Sequence, residues 1–147
     1  MSYEKGCVLA ALSLSDELES VAVRARQLAQ SLNLSLLFVH VVDDKALFDY
    51  ANSFSLSGLI AGKYDEDESN KELMARQMIE KRLAPLGDSE SLEIRAGACA
   101  ETIETLARQR QSSIIVLGQP EKHFGSIIMH IARYAPCDVH IVRTIEK

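Results

Sequence analysis

The sequence predicts an α/β domain, with a five-stranded parallel sheet and helices on both of its faces. Short apolar runs rich in Val, Ile and Leu alternate along the chain with segments whose apolar residues recur at helical spacing. Continuous apolar runs are typical of strands that are buried on both faces, as in parallel sheets. Their alternation with helices gives the order βαβαβαβαβ with right-handed crossovers. The 147 residues suit a single domain over residues 1–147.

The first strand is predicted at residues 6–12, "GCVLAAL", and a helix follows it. Ser15 or Asp16 is suited to cap that helix, because short polar side chains accept hydrogen bonds from the free amides of a first turn. Asn33 suits its end, because asparagine tolerates the left-handed conformation found there. The buried face of the helix is expected to hold Val21, Ala25, Leu28, Ala29 and Leu32. A second buried strand is predicted at residues 34–43.

The middle of the chain predicts an excursion and then a charged helix. Residues 45–63 have mixed character and two glycines, so we expect a long connection there, with a short helix as one option. Residues 66–86 show helical periodicity, and Pro85 and Gly87 are expected to end that helix. Its predicted apolar positions are Ala75, Met78, Ile79, Leu83 and Leu86. Core or helix-face packing is the interpretation given to Met74, Met78 and Met129.

The rest of the chain predicts three strands and two helices. The strands are expected at residues 91–97, 113–118 and 138–144, and the helices at residues 100–111 and 126–135. Ligands of such sheets bind beyond the carboxyl ends of the strands, where the strand order reverses. The candidate site therefore combines the ends of the first, second and fourth strands, at residues 11–15, 40–43 and 118–126.

Composition and charge exclude several classes of partner and site. The net charge of -5 argues against nucleic acid or an anionic membrane surface as a partner, because both require a basic face. Cys7, Cys99 and Cys137 are scattered, which favours free buried thiols in a reducing compartment. The polar N-terminus and the lack of a long apolar run favour the cytoplasm. His40 lies in an apolar run and is interpreted as a core histidine with a partner, and no metal site is expected.

Residues 125–142, "GSIIMHIARYAPCDVHIV", resemble the C-terminal segment of the universal stress protein family. "VLAALSLS" resembles the family's first strand and turn, "LLFVHVVDD" its second strand, and "GACAETIETLARQRQSSIIVLG" its third helix and fourth strand. Only residues 45–88 lack a detailed match. The resemblance implies an adenine nucleotide alpha hydrolase-like or flavodoxin-like three-layer sandwich that is usually dimeric through its last strand.

Many members of that family bind ATP through an Asp after the first strand, the backbone of the second strand and a glycine loop. Carried over residue by residue, the resemblance implies these nucleotide-binding positions: Ser13, Val41, Gly118, Gly125, Ser126 and Ile127. Ser13 stands where the family has its Asp, so that carboxylate is missing. A purely structural interpretation stays open, in which Gly118 ends a strand and Gly125 and Ser126 cap a helix.

The glycine loop is short compared with that of the ATP-binding members. Their pattern is Gly, two residues, Gly, nine residues, then Gly-Ser or Gly-Thr, whereas residues 119–124 leave six positions between Gly118 and Gly125. Glu121 replaces the second glycine and would repel a phosphate, and Pro120 has no N–H to offer one. We therefore expect the half of an anion site that the helix start at Gly125 and Ser126 forms to be kept. The wrapping half, which is the loop that would fold over the phosphates, is expected to be lost.

By this resemblance the chain is a dimeric, non-catalytic stress-response regulator with a degenerate nucleotide pocket. Tight ATP binding and a resident cofactor are not expected, while ATP, AMP and protein partners stay open. A homodimer is expected through the edge strand at Val139, His140, Ile141 and Val142, because an uncharged edge needs a partner. One alternative is slow hydrolysis or nucleotidyl transfer, with Asp16 and Glu17 as the carboxylates at hand. The other is an interaction module that binds its partner on residues 45–63.

Overall fold

The computed structural model describes residues 6–43, 61–119 and 125–143 of the chain. Its strands are β1 Cys7–Ala11, β2 Ser35–Asp43, β3 Glu90–Gly97, β4 Ile114–Gln119 and β5 Asp138–Arg143. Its helices are α1 Leu18–Leu32, α2 Ala61–Arg82, α3 Cys99–Gln109 and α4 Ser126–Tyr134. The alternation of strands and helices is the predicted one.

The strands form one parallel sheet in the order β3-β2-β1-β4-β5. At its centre, Leu9 of β1 lies opposite Leu37 of β2 on one side and Ile115 of β4 on the other. The chain steps outward from β1 to β3 and then crosses to β4, on the other side of β1. The strand order therefore reverses between β1 and β4, which is where α/β sheets bind their ligands.

Two apolar cores cover the two faces of the sheet. One lies under α1 and α2, where Phe38 of β2 and Ile79 of α2 are fully buried. The other lies under α3 and α4, where Ile103 and Ile131 pack with Leu9. Because neighbouring side chains of a strand point to opposite faces, each central strand contributes to both cores. This arrangement confirms the predicted three-layer α/β class.

Arg26 of α1 links this helix to β3, at the edge of the sheet, through hydrogen bonds. Its guanidinium donates to both carboxylate oxygens of Glu90 on β3, at 2.9 and 3.1 Å, and to the carbonyl of Ala84 at 2.9 Å. Glu90 also accepts the Gly87 amide at 3.0 Å. Burial alone would raise the pKa of Glu90, but the Arg26 and Gly87 donors outweigh it and hold that pKa below its ordinary value of 4.5.

A buried carboxylate joins α3 to α4. Glu104 of α3 is 5% exposed, and its Oε2 lies 2.7 Å from Nδ1 of His130 on α4. The ring of Tyr134 lies beside that imidazole, with ring centroids 4.8 Å apart. Since a buried carboxylate without a partner is costly, His130 stabilises the packing of these two helices.

The helix ends differ from prediction in two places. The residue preceding the first turn of α1 is Glu17, and it makes no side-chain capping bond, so neither Ser15 nor Asp16 is the cap. Asn33 does end α1 in the left-handed conformation, with φ 56° and ψ 49°. Helix α2 begins at Ala61, inside the predicted excursion, and ends at Arg82, because a proline disfavours helical conformation in the residue before it.

Several apolar side chains predicted to be buried are exposed. Ala75, Ile79 and Leu83 are buried as predicted, whereas Met78 is 49% exposed and Leu86 39%. The structure also exposes Leu32, Met74 and Met129 by half or more. Helical spacing identifies which face of a helix is apolar, but it does not show how much of that face is buried against the sheet.

The predictions on the excursion, on membrane spans and on the cysteines can be compared only with the described residues. Of the excursion predicted at residues 45–63, residues 45–60 lie outside the described residues. No helix among residues 6–43, 61–119 and 125–143 combines the length and the apolar run that a membrane span requires. The three cysteines, all within the described ranges, form no disulfide bond, and Cys7 is buried while Cys99 and Cys137 are half-buried.

Candidate functional site

A cavity of about 400 Å³ lies at the carboxyl ends of β1, β2 and β4. Its position is the predicted one, beside the reversal of strand order. Six sequence-predicted residues line it together: Ser13, Val41, Gly118, Gly125, Ser126 and Ile127. The volume falls in the range of small-molecule sites, roughly 300 to 1,000 Å³. The chain thus brings the carried-over positions to one place, and their role in binding stays a prediction.

One side of the cavity is the start of α4, residues 125–128, which we call the donor rim. Gly125 precedes the helix in an ordinary extended conformation, and its carbonyl accepts the Met129 amide at 3.1 Å. The first amides of a helix have no partner within the helix and carry its positive dipole end. A Cβ added to Gly125 would meet no atom of the described residues within 4 Å, so packing against them does not require a glycine here. The donor rim can therefore offer N–H groups to a ligand.

The opposite side consists of Ser13, Ser15 and Glu17, which we call the acceptor rim. Ser13 and Glu17 line the cavity, and Ser15 lies between them in a chain of hydrogen bonds. The Ser15 hydroxyl donates to Oε2 of Glu17 at 2.7 Å, and the Ser13 and Ser15 hydroxyl oxygens are 2.7 Å apart. The sequence predicts Glu17 at a helix start and, in the enzyme alternative, as one of two carboxylates at hand. The fold places the Glu17 carboxylate on the cavity wall.

Gly118 lies in the wall between the two rims, and tight packing accounts for it. It is part of β4, which continues to Gln119, so Gly118 does not end the strand as predicted. A Cβ on Gly118 would lie 2.8 Å from Cγ2 of Val21 and 3.3 Å from Cβ of Glu17. The first turn of α1 therefore approaches β4 more closely than any other residue type at position 118 would permit.

The remaining wall comes from β2 and from the start of α3. Val41 is half-buried on β2, at the position carried over for the adenine contact. His40 beside it has its Nδ1 2.8 Å from the Leu12 carbonyl, so this histidine has the predicted partner. It is half-buried on the cavity wall and not enclosed in the core, which corrects the prediction. Cys99, the first residue of α3, also lines the cavity and was not predicted there.

Strand β5 is an edge of the sheet, as expected for a pairing strand. Val139, His140 and Ile141 are half-buried, and Val142 is 5% exposed because it packs in the core under α1. The Val142 side chain is thus already used inside one chain. Any second strand would therefore pair mainly with the backbone of β5.

Comparison with known proteins assigns the family. The sequence model of the universal stress protein family matches residues 7–143, which include all nine described helices and strands. The chain belongs to the universal stress protein family. No curated protein matches the sequence at a significant level.

Solved structures of universal stress proteins have the same fold. The universal stress protein UspA from Lactobacillus plantarum is 23% identical, with a TM-score of 0.67 over 96% of this chain and 100% of that one. A universal stress protein in complex with cAMP is 18% identical, with a TM-score of 0.59 over 95% and 98% of the two chains. One from Archaeoglobus fulgidus in complex with dAMP is 17% identical, with a TM-score of 0.59 over 94% and 98%.

Of the positions that the resemblance carries over, Gly118, Gly125 and Ser126 line one cavity with Ser13. Their part in the family's nucleotide-binding pattern, and the replacement of its Asp by Ser13, stay predictions. The predicted loss of the wrapping half concerns residues 120–124, which lie outside the described residues. The Glu17 carboxylate, four residues after Ser13, is the cavity feature that motif matching could not find.

Proposed function

We propose that this universal stress protein is a dimeric, non-catalytic regulator of the cytoplasmic stress response that binds an adenine nucleoside or monophosphate. The observation that carries the proposal is the cavity of about 400 Å³ at the strand-order reversal, lined by the carried-over residues. A space of this size suits a nucleoside or a monophosphate. The similar structures in complex with cAMP and dAMP support a ligand of that class.

Weak binding of ATP is part of the proposal. The carried-over Asp position holds Ser13, and the charged side chain on the described part of the cavity wall is the Glu17 carboxylate. A carboxylate repels a triphosphate, while the donor rim provides amides for a single anionic group. A pocket with this distribution of charge suits a ligand that has at most one phosphate.

Ligand binding is tested by thermal unfolding with adenosine, AMP, cAMP and ATP. A ligand at roughly 100 times its dissociation constant adds about 2.7 kcal/mol of stability, or about 5 to 10 °C in Tm for a chain of this size. We expect such a shift with adenosine or AMP and none with ribose 5-phosphate, which lacks the base. If none of the four adenine compounds raises the Tm of the protein, the result would contradict the proposal and favour the interaction module.

The non-catalytic role is supported by the chemistry of the described cavity wall. Hydrolysis of a nucleotide requires a base and carboxylates for a metal ion. No three His, Cys, Asp or Glu side chains within the described ranges come together as a metal site. Incubation with ATP and Mg²⁺ followed by chromatography is expected to show no ADP or AMP above the protein-free control. Product that grows with protein concentration would favour the hydrolase or transferase alternative.

The dimer is tested on the two edges of the sheet. Ile141 on β5 and Ile94 on β3 are both half-buried isoleucines of edge strands, so they form a matched pair. Native mass spectrometry is expected to show a dimer for the unchanged protein and for Ile94→Lys, and a monomer for Ile141→Lys. A monomer at every concentration of the unchanged protein, or a dimer in both variants, would contradict pairing through β5. Far-UV circular dichroism would show that each variant is folded.

A further inference from the structure

We propose that the acceptor rim of Ser13, Ser15 and Glu17 selects ligands by their hydrogen-bond donors, so that adenosine binds more tightly than ATP. This inference rests on the proposed function, since it concerns the ligand of the same cavity. It assigns a specificity role to Glu17, which the family pattern carried over above does not include.

The direction of the hydrogen bonds in the rim follows from counting hydrogens. Each serine hydroxyl has one hydrogen to donate. Ser15 donates its hydrogen to Oε2 of Glu17 at 2.7 Å, so the 2.7 Å contact with Ser13 must be a donation from Ser13 to Ser15. The Glu17 amide also approaches the Ser15 oxygen, at 3.4 Å. With its hydrogen committed, the Ser13 hydroxyl can only accept a further bond.

Glu17 adds a charged acceptor at the same edge of the cavity. The Cβ of Glu17 lies close to the end of β4, at 3.3 Å from a Cβ built on Gly118. In the part of the cavity wall that the structure describes, it is the only Asp, Glu, Lys or Arg. Its Oε1 has no hydrogen-bond partner among the described residues, which leaves that oxygen available to a ligand.

The chemistry of the rim matches sugar hydroxyls and opposes phosphates. Hydroxyl and amino groups can donate to Ser13 and Glu17, and bonds to a carboxylate are stronger than those between neutral groups. Ionised phosphate oxygens are acceptors only, so they find no donor on this side and meet a like charge. The donor rim can still accommodate one anionic group, which makes each phosphate beyond the first unfavourable. Adenosine and AMP are therefore both expected to bind more tightly than ATP.

The test compares dissociation constants measured by calorimetry for adenosine, AMP and ATP, all in EDTA so that no metal ion screens the phosphates. For the unchanged protein we expect adenosine to bind about 10-fold or more tightly than ATP. Glu17→Gln keeps the size of the side chain and removes its charge, and it should reduce that preference about 10-fold. Ser15→Ala removes the donor that orients Glu17 and should have a smaller effect in the same direction.

Asp16→Asn is the matched control. It removes the same charge from the neighbouring residue, which is exposed and does not line the cavity. We expect its preference for adenosine to stay within about twofold of that of the unchanged protein, as for a screened surface charge. Equal changes in Asp16→Asn and Glu17→Gln would show a general effect of net charge and overturn the proposal.

The outcomes separate this inference from the proposed function. If Glu17→Gln leaves the ratio unchanged, the acceptor rim does not select the ligand and the proposed function still stands. If the unchanged protein binds ATP as tightly as adenosine, the weak binding of ATP proposed above fails as well, while the proposed adenine pocket still stands. If neither adenosine, AMP nor ATP binds, the proposed ligand class fails and this inference fails with it.

Discussion

Replacing Gly118 by alanine tests whether packing against α1 explains this glycine. The added Cβ would lie 2.8 Å from Cγ2 of Val21, a side chain that is 2% exposed, and 3.3 Å from Cβ of Glu17. Carbon atoms in contact prefer separations of about 3.5 to 4.0 Å. Either α1 must move away from β4 by a large fraction of an ångström, or Val21 must leave its preferred rotamer.

The expected loss of unfolding free energy in Gly118→Ala follows from the range measured for overpacked protein cores. Inserting a methyl group into a closely packed site destabilises a protein by about 1 to 3 kcal/mol. For a chain of this size, that loss corresponds to a decrease in Tm of about 3 to 10 °C. The matched control is Gly125→Ala, where the new Cβ meets no atom of the part of the chain that the structure describes within 4 Å, and we expect it to cost less than about 1 kcal/mol.

The assay is urea unfolding followed by circular dichroism, for both alanine variants and for a double-mutant cycle with Val21→Ala. Val21→Ala removes both methyl groups of Val21, including the clashing Cγ2, so Gly118→Ala/Val21→Ala should be at least about 1 kcal/mol more stable than the sum of the single changes. Additive effects, or equal losses for Gly118→Ala and Gly125→Ala, would show that the contact with α1 does not explain this glycine.

Three further predictions concern contacts between elements. The pKa of Glu90 lies below its ordinary value, so the bonds of Glu90 to Arg26 stabilise the fold above about pH 4.5, and this stabilisation is lost as the pH falls through the lowered pKa. Glu90→Gln should therefore reduce the free energy of unfolding at pH 7 and make that free energy decrease less steeply in acid. Urea unfolding from pH 3 to 7 measures both effects. His130→Ala should cost about 1 to 3 kcal/mol, because Glu104 would stay buried without its partner, and equal stability of the variant in the same assay would refute that. Arg82→Ala should cost less than about 1 kcal/mol in urea unfolding, because its ion pair with Glu19 is solvent-exposed.

The order of elements could be predicted because the central strands are buried on both faces. β1 and β4 appear in the sequence as unbroken apolar runs, and that pattern reports burial directly. The start of α2 could not be found in the same way. Its mean hydropathy is low and its apolar residues are widely spaced, so the sequence shows no clear boundary at Ala61.

The candidate site was predictable where it depends on local motifs, and it was missed where it depends on packing. Gly118, Gly125 and Ser126 follow from a strand, a short loop and a helix, which are neighbours in sequence. Glu17 belongs to a polar stretch that suits any helix start, so its sequence context does not show whether Glu17 or the neighbouring Asp16 lies on the cavity wall. Only the distance between α1 and β4 decides that placement, and no local pattern encodes that distance.

Gly118 links the fold to the selectivity of the site. A glycine at the end of this strand fits a phosphate-binding loop, because it lets a ligand approach the backbone. In this chain the space that the missing Cβ leaves is taken by Val21 and by the first carbons of Glu17. The close approach of α1 that this glycine permits therefore brings a carboxylate to the cavity. The residue that most suggests phosphate binding in the sequence thus positions, in the fold, the charge that opposes it.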